Sequence, residues 1–358
     1  MKKSYVKMLA VGFGMAFYAL AGNTEAAVTG ICSNCHTMHN SQGGTFMGRD
    51  ATPDGNLLTG GCVGCHTGTN FGGTDVVPYV YQTTEPDYGA DGTTGDTLAG
   101  GNFYWVADGG GDIDNKGHNV VGLSGVDTIG KEPPGWDADW YANGQVGTWG
   151  TAQLTCDGAN GCHGEHTTAG VSGAHHATDT TIDGSTVGKS FRMLKGILGK
   201  EDPDWEWVPT ATEHNQYKGA IRTSDTTNPT ETISYSCAEC HGKFHGGAGT
   251  DGVADATFAS VWIRHPTDFD MNNVSGEYGY YNVDNSYSVV APVASADVSA
   301  VKDTVLEGAG DAIVTCISCH RAHGTKWDDL LRWEYTMNAG GGASTAGCFI
   351  CHTTKDTG

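Results

Sequence analysis

The chain has 358 residues, 38% of them hydrophobic and 55 of them glycine, and carries a formal net charge of −22. Such acidity disfavours nucleic acid and anionic lipid as partners. The apolar supply is poor for a polypeptide core of this length, so something besides side chains has to fill the interior.

Residues 1–27 are predicted to be a secretory signal peptide. Lys2, Lys3 and Lys7 precede a short apolar run from Met8 to about Ala21, and Ala26 and Ala27 offer a cleavage site. The mature part, 28–358, contains no run long enough for a membrane span. Export to an oxidising compartment would ordinarily turn 12 cysteines into a disulfide framework. Their spacing argues otherwise. Cys-x-x-Cys-His occurs at 32–36, 62–66, 237–241, 316–320 and 348–352. Random placement of this chain's own Cys and His would give about 0.02 such strings. The two remaining cysteines, Cys156 and Cys162, lie in "CDGANGCH", again with a histidine directly after the second.

Two thiols at this spacing form thioethers to the two vinyl groups of one haem, and the next histidine lies beneath the iron. Cys32, Cys35, Cys62, Cys65, Cys156, Cys162, Cys237, Cys240, Cys316, Cys319, Cys348 and Cys351 are thus the expected attachment points of six c-type haems. His36, His66, His163, His241, His320 and His352 are the expected proximal ligands. Zinc would need the pairs to combine into four-ligand sets and leaves the following histidine unexplained. In the third motif, Gly158 and Gly161 would supply the bulged loop that five intervening residues demand.

Nine histidines remain: His39, His118, His166, His175, His176, His214, His245, His265 and His323. Methionine is scarce after the leader and in no repeated setting, which favours bis-His ligation and low potentials. His39, His166 and His323 follow a proximal histidine by three residues and His245 by four. A histidine so close cannot cross to the far face of its own haem but can reach a neighbouring one. For His39, near the mature N-terminus, that neighbour lies in the same subunit or in the next.

Between the motifs, 67–155 is a Gly/Asp/Thr-rich insertion with short strand-like pieces. Amphipathic helical segments are expected at 189–200, 253–264 and 325–337, the last placing Trp327, Leu330 and Leu331 on one face. No self-contained polypeptide core is visible, so 28–358 is expected to form a single domain organised around its haems.

The ordered islands "CHTMHNS", "KGHNVVG", "CHGEH", "CAECHGKFH", "IRHPTD" and "CISCHRAH", with a last motif near the C-terminus, resemble the extracellular hexahaem c-type cytochromes of metal-reducing bacteria. Those are the OmcS-type proteins that polymerise into conductive filaments. The resemblance spans nearly the whole mature chain around the motifs and not in the loops. It implies a mostly irregular fold with short helices and few short strands around a multihaem stack. It also implies electron transfer outside the cell and head-to-tail assembly with copies of itself. Carried onto this chain, it gives His39, His118, His166, His245, His265 and His323 as distal ligands, His39 serving a haem of the adjacent subunit. Two departures bear on that set. "CDGANGCH" replaces a regular motif, and "GAHH" with "EDPDWEW…EHNQY" differ from the pattern, which leaves His214, His175 and His176 as alternatives. Other cytochromes and extracellular acceptors are the implied partners. A monomeric periplasmic carrier is the alternative. A multihaem reductase is a more distant one, because no motif replaces its histidine to open an axial position.

Overall fold

The computed structural model describes residues 31–49, 55–71, 77–107, 114–125, 132–136, 149, 153–167, 173–177, 181–223, 229–245, 265–273, 281, 285–335 and 347–353. Among the described residues, regular structure is sparse: short helical turns, four two-stranded ladders and isolated bridges joined by coil. No helix among them is long and apolar enough to cross a membrane.

The motifs themselves make much of what helix there is. Cys32–Asn34 and Cys316–Ser318 are single 3₁₀ turns, α1 (Cys62–Cys65) is one α turn, and Gly347–Ile350 is a 3₁₀ turn. In each, the histidine N–H donates to the carbonyl of the first cysteine: His36 to Cys32 at 2.8 Å, His66 to Cys62 at 2.8 Å, His320 to Cys316 at 3.1 Å and His352 to Cys348 at 3.0 Å. One helical turn thereby puts two thiols and an imidazole on one side of the backbone. After the short α2 (Tyr104–Ala107), the longest helix, α3 (Ile233–His245), carries the fourth motif. Its residue His241 breaks from helical geometry at φ −115°, ψ 43°. Lys243 and His245 sit in its last turn, where cations suit the helix dipole.

Eight strands follow in chain order: β1 (Ser41–Gln42), β2 (Thr45–Phe46), β3 (Thr155–Asp157), β4 (Gly161–His163), β5 (Gly199–Lys200), β6 (Gln216–Tyr217), β7 (Phe269–Asp270) and β8 (Ile313–Val314). β3 and β4 pair in parallel, Thr155 opposite Gly161 and Asp157 opposite His163, so the third motif is a strand-flanked loop rather than a helical turn. Gly158 at φ +78° lets that loop close within five residues. The other three ladders are antiparallel.

Two small apolar clusters replace a single core. One holds Trp136, Trp149, Phe191, Ile197 and Ile233 with Cys240 packed on it; the other holds Tyr281, Val293, Val305, Ile313's neighbour Val314 and Trp333, with Cys319 and Cys351 against it. The clusters therefore back onto the motif cysteines. The 67–155 segment is pinned to the fifth motif. Gly101 and Gly117 both bridge Gly324, and Arg321, 2% exposed, donates to the carbonyls of Leu98, Ala99 and Gly92. At Gly101, φ is +82° and a Cβ would collide with the Gly324 carbonyl.

Two of the expected amphipathic helices are absent. Over 189–200 the chain makes 3₁₀ turns at Val187–Lys189 and Phe191–Met193, and over 325–334 a 3₁₀ turn at Asp328–Leu330 followed by coil. Arg192 and Asp329 are left-handed at φ +49° and +58°, which stops any helix there. The segment 253–264 lies outside the described residues.

Candidate functional site

None of the twelve cysteines is joined in a disulfide. From the second motif to the sixth, thiols of successive motifs lie near one another. Cys156 and Cys62 share a hydrogen bond, as do Cys237 and Cys316, while Cys240 lies near Cys162 and Cys351 near Cys319.

Five of the six motif histidines share one support. Nδ1 donates to a backbone carbonyl in His36 (Asn56, 3.0 Å), His66 (Pro78, 2.8 Å), His163 (Arg192, 2.9 Å), His241 (Pro134, 2.7 Å) and His320 (Asp329, 2.7 Å). A proton fixed on Nδ1 leaves Nε2 with its lone pair for a metal. His118 and His265 have the same arrangement, donating to Ala322 at 2.6 Å and Pro266 at 2.9 Å.

Five histidine pairs face one another. Ring centroids are 6.1 Å apart for His36 and His176, 6.2 Å for His66 and His175, 6.4 Å for His163 and His323, 6.1 Å for His118 and His241, and 6.1 Å for His265 and His352. A metal–imidazole bond of about 2.0 Å plus about 1.1 Å from Nε2 to ring centre, taken twice, gives roughly 6.2 Å for two imidazoles on opposite sides of one metal. The observed pairs match that spacing, and each contains one motif histidine. The residues present thus fit haem irons held between two imidazoles.

Electrostatics agree with neutral, ligating imidazoles. Burial lowers His118, His163, His175 and His265, pushes His241 down to about 4 and pushes His323 down to about 3.

The remaining histidines stand elsewhere. His166 Nε2 meets Glu239 of α3 at 3.2 Å, and that carboxylate pushes His166 up while burial pushes Glu239 up. His245 Nε2 meets Asp268 at 2.8 Å with both side chains buried. His214 is buried flat against Tyr287, ring centroids 3.5 Å apart, with Asn215 and Lys302 carbonyls at its two nitrogens. Of the six distal candidates carried over from the resemblance, the structure brings His118, His265 and His323 opposite motif histidines. It sets His166 and His245 against carboxylates, and puts His175 and His176, the alternatives, in facing positions. His39 is exposed, as is His320, and among the described residues no second histidine ring stands opposite either one.

Paired cysteines followed by histidine, with imidazoles facing at a metal-spanning distance, are a residue set that can hold c-type haem. A family model described as a doubled CXXCH motif matches residues 309–357, which hold the last two motifs. Over 387 residues the chain is 26% identical to the C-type cytochrome OmcS of Geobacter sulfurreducens, covering 91% of this chain and 84% of that protein. Among solved structures it is similar to the Outer Membrane Cytochrome S filament from Geobacter sulfurreducens, with a TM-score of 0.46 and 23% identity over 87% of this chain and 85% of the other. The OmcS nanowires from the same organism give a TM-score of 0.44 and 23% identity over 85% and 83%.

Proposed function

We propose that this chain is an electron conduit outside the cell, carrying six c-type haems and joined head to tail with copies of itself. The bound haems supply one-electron chemistry over a range of potentials set by ligands, burial and nearby charge. The chain's own contribution is placement. His176 serves opposite His36, His175 opposite His66, His323 opposite His163, His118 opposite His241 and His265 opposite His352. Thiol hydrogen bonds at Cys62/Cys156 and Cys237/Cys316, with Cys240 near Cys162 and Cys351 near Cys319, support an order of haems that follows the order of motifs. Adjacent residues His175 and His176 tie the first two together.

One observation carries the polymer. Among the described residues, five pairs use five motif histidines, and neither exposed His320 nor exposed His39 has a histidine ring opposite it. A second copy supplies both needs at once: His39 of one copy completes the site of His320 in the next. The likeness to OmcS along most of both chains agrees with this reading.

The test is His39→Ala in the haem-loaded protein, examined by electron microscopy and absorption spectroscopy. Discrete particles with one haem in six turned high-spin are expected. Unchanged filaments with every haem low-spin would sink the inter-subunit ligand.

A further inference from the structure

Among the described residues, two consecutive left-handed residues that are not glycine occur four times; Trp205–Glu206 lies away from the motifs, and the other three pairs each lie beside a motif histidine. Asn56 and Leu57 have φ +57° and +55°, Arg192 and Met193 +49° and +60°, Asp329 and Leu330 +58° and +57°. Asn and Asp tolerate this conformation; leucine, methionine and arginine rarely adopt it. Strain repeated at one kind of place asks for a common cause.

The hydrogen bonds supply it. The first residue of each pair gives its carbonyl to the histidine ring: Asn56 to His36 at 3.0 Å, Arg192 to His163 at 2.9 Å, Asp329 to His320 at 2.7 Å. The second gives its carbonyl to the N–H of the residue after that histidine. Thr37 donates to Leu57 at 2.8 Å, Gly164 to Met193 at 2.9 Å and Arg321 to Leu330 at 2.9 Å. The third residue, Leu58, Leu194 or Leu331, forms a bridge with His36, Gly164 or His320. Successive carbonyls of an extended strand point to opposite sides, whereas a helical pair turns both to one side. The left-handed pair therefore grips ring and backbone together. The second and fourth motifs have a different support, with proline carbonyls of Pro78 and Pro134 on His66 and His241.

We propose that the pairs Asn56–Leu57, Arg192–Met193 and Asp329–Leu330 are positioning elements that lock the ring plane and Nδ1–H polarity of the proximal histidine at the first, third and fifth motifs. Every second haem along the chain is then held by one kind of clamp and the intervening ones by another. A hydrogen bond at the far nitrogen raises the basicity of a ligating imidazole, so a loosened clamp moves that haem's potential upward. The inference rests on the haem-bearing reading above.

The side chains of Asn56 and Asp329 are exposed, which separates conformation from packing. Asp329→Gly and Asp329→Val both remove the carboxylate, but glycine accepts a positive φ and valine resists it. In the haem-loaded chain, Asp329→Gly should keep the parent's low-spin electron paramagnetic resonance signals and potentials. Asp329→Val should alter one signal and raise one potential by about 59 mV, a tenfold change for one electron. Equal shifts in both variants, or none in either, would overturn the proposal. If Asp329→Val does not yield folded protein, Asn56→Gly and Asn56→Val at the first motif decide in the same way. A parent chain whose intact mass shows no attached haem overturns the function reading and this inference with it, before any variant is made.

Discussion

Asp268 tests whether His245 is held structurally. Its side chain is fully buried and accepts from His245 Nε2 at 2.8 Å, Thr232 Oγ1 at 2.8 Å and the Ala220 N–H at 3.0 Å. These contacts join the end of α3, the segment leading into it and the approach to β7. Asp268 is left-handed at φ +52°, so Asp268→Gly removes the carboxyl without adding backbone strain. It strands three buried donors. Hydrogen bonds to a charged group contribute about 1.5–3 kcal/mol each, and breaking a buried pair costs about 3–5 kcal/mol in total. Against a whole-domain stability of about 5–15 kcal/mol, a loss of about 3–5 kcal/mol is expected. Asp268→Asn preserves the shape and can accept from Ala220, so about 1–2 kcal/mol is expected for it. The assay is urea unfolding of the haem-loaded chain with absorption spectra taken before denaturant. Both variants should keep all haems low-spin, because His245 is assigned no iron. A cost below about 1 kcal/mol for Asp268→Gly, or a high-spin haem in its native spectrum, would refute the reasoning.

Further outcomes follow from the same geometry. His175→Ala and His176→Ala should each turn one haem high-spin, whereas His166→Ala and His245→Ala should leave the spectrum low-spin; magnetic circular dichroism reads the difference. Burial, with Asp204 alongside, pushes Asp202 up to about 7. The native state then holds a proton that the unfolded chain releases near pH 4, so stability should fall as pH rises from about 4 to about 7. Asp202→Asn should flatten that part of the curve, as followed by urea midpoints. Gly101→Ala forces a side chain onto the Gly324 carbonyl at a positive φ and should cost about 2–4 kcal/mol, visible as a lowered thermal midpoint.

The candidate haem-attachment residues are proposed from the spacing of cysteine and histidine, because thioether chemistry demands three residues in one short string. The scarcity of regular structure also follows, since the motifs and their glycine-rich surroundings supply so little periodic burial. The partners of distant histidines are harder to read. His166 and His245 share a local spacing with His323, but their neighbours Glu239 and Asp268 come from elsewhere in the chain and no spacing reports them. The pattern in "KWDDLLRWEY" suits a helix until the ring of His320 claims the Asp329 carbonyl and the Cys319 carbonyl claims the Arg332 N–H. The left-handed pairs had a faint signal. "NLL" at 56–58, "RML" at 192–194 and "DLL" at 329–331 each follow a polar residue with two long apolar ones, and only the fold shows that they do one job.

The five facing histidine pairs also overlap along the chain. Spans 36–176, 118–241, 163–323 and 265–352 each begin before the previous one ends, and 66–175 lies inside the first. With an iron bonded across every pair, a protease that nicks any loop between 36 and 352 leaves two fragments still fastened by at least one such bond. A filament built this way can be scarred at many surface loops and remain continuous, because its connectivity runs through metal as well as through peptide.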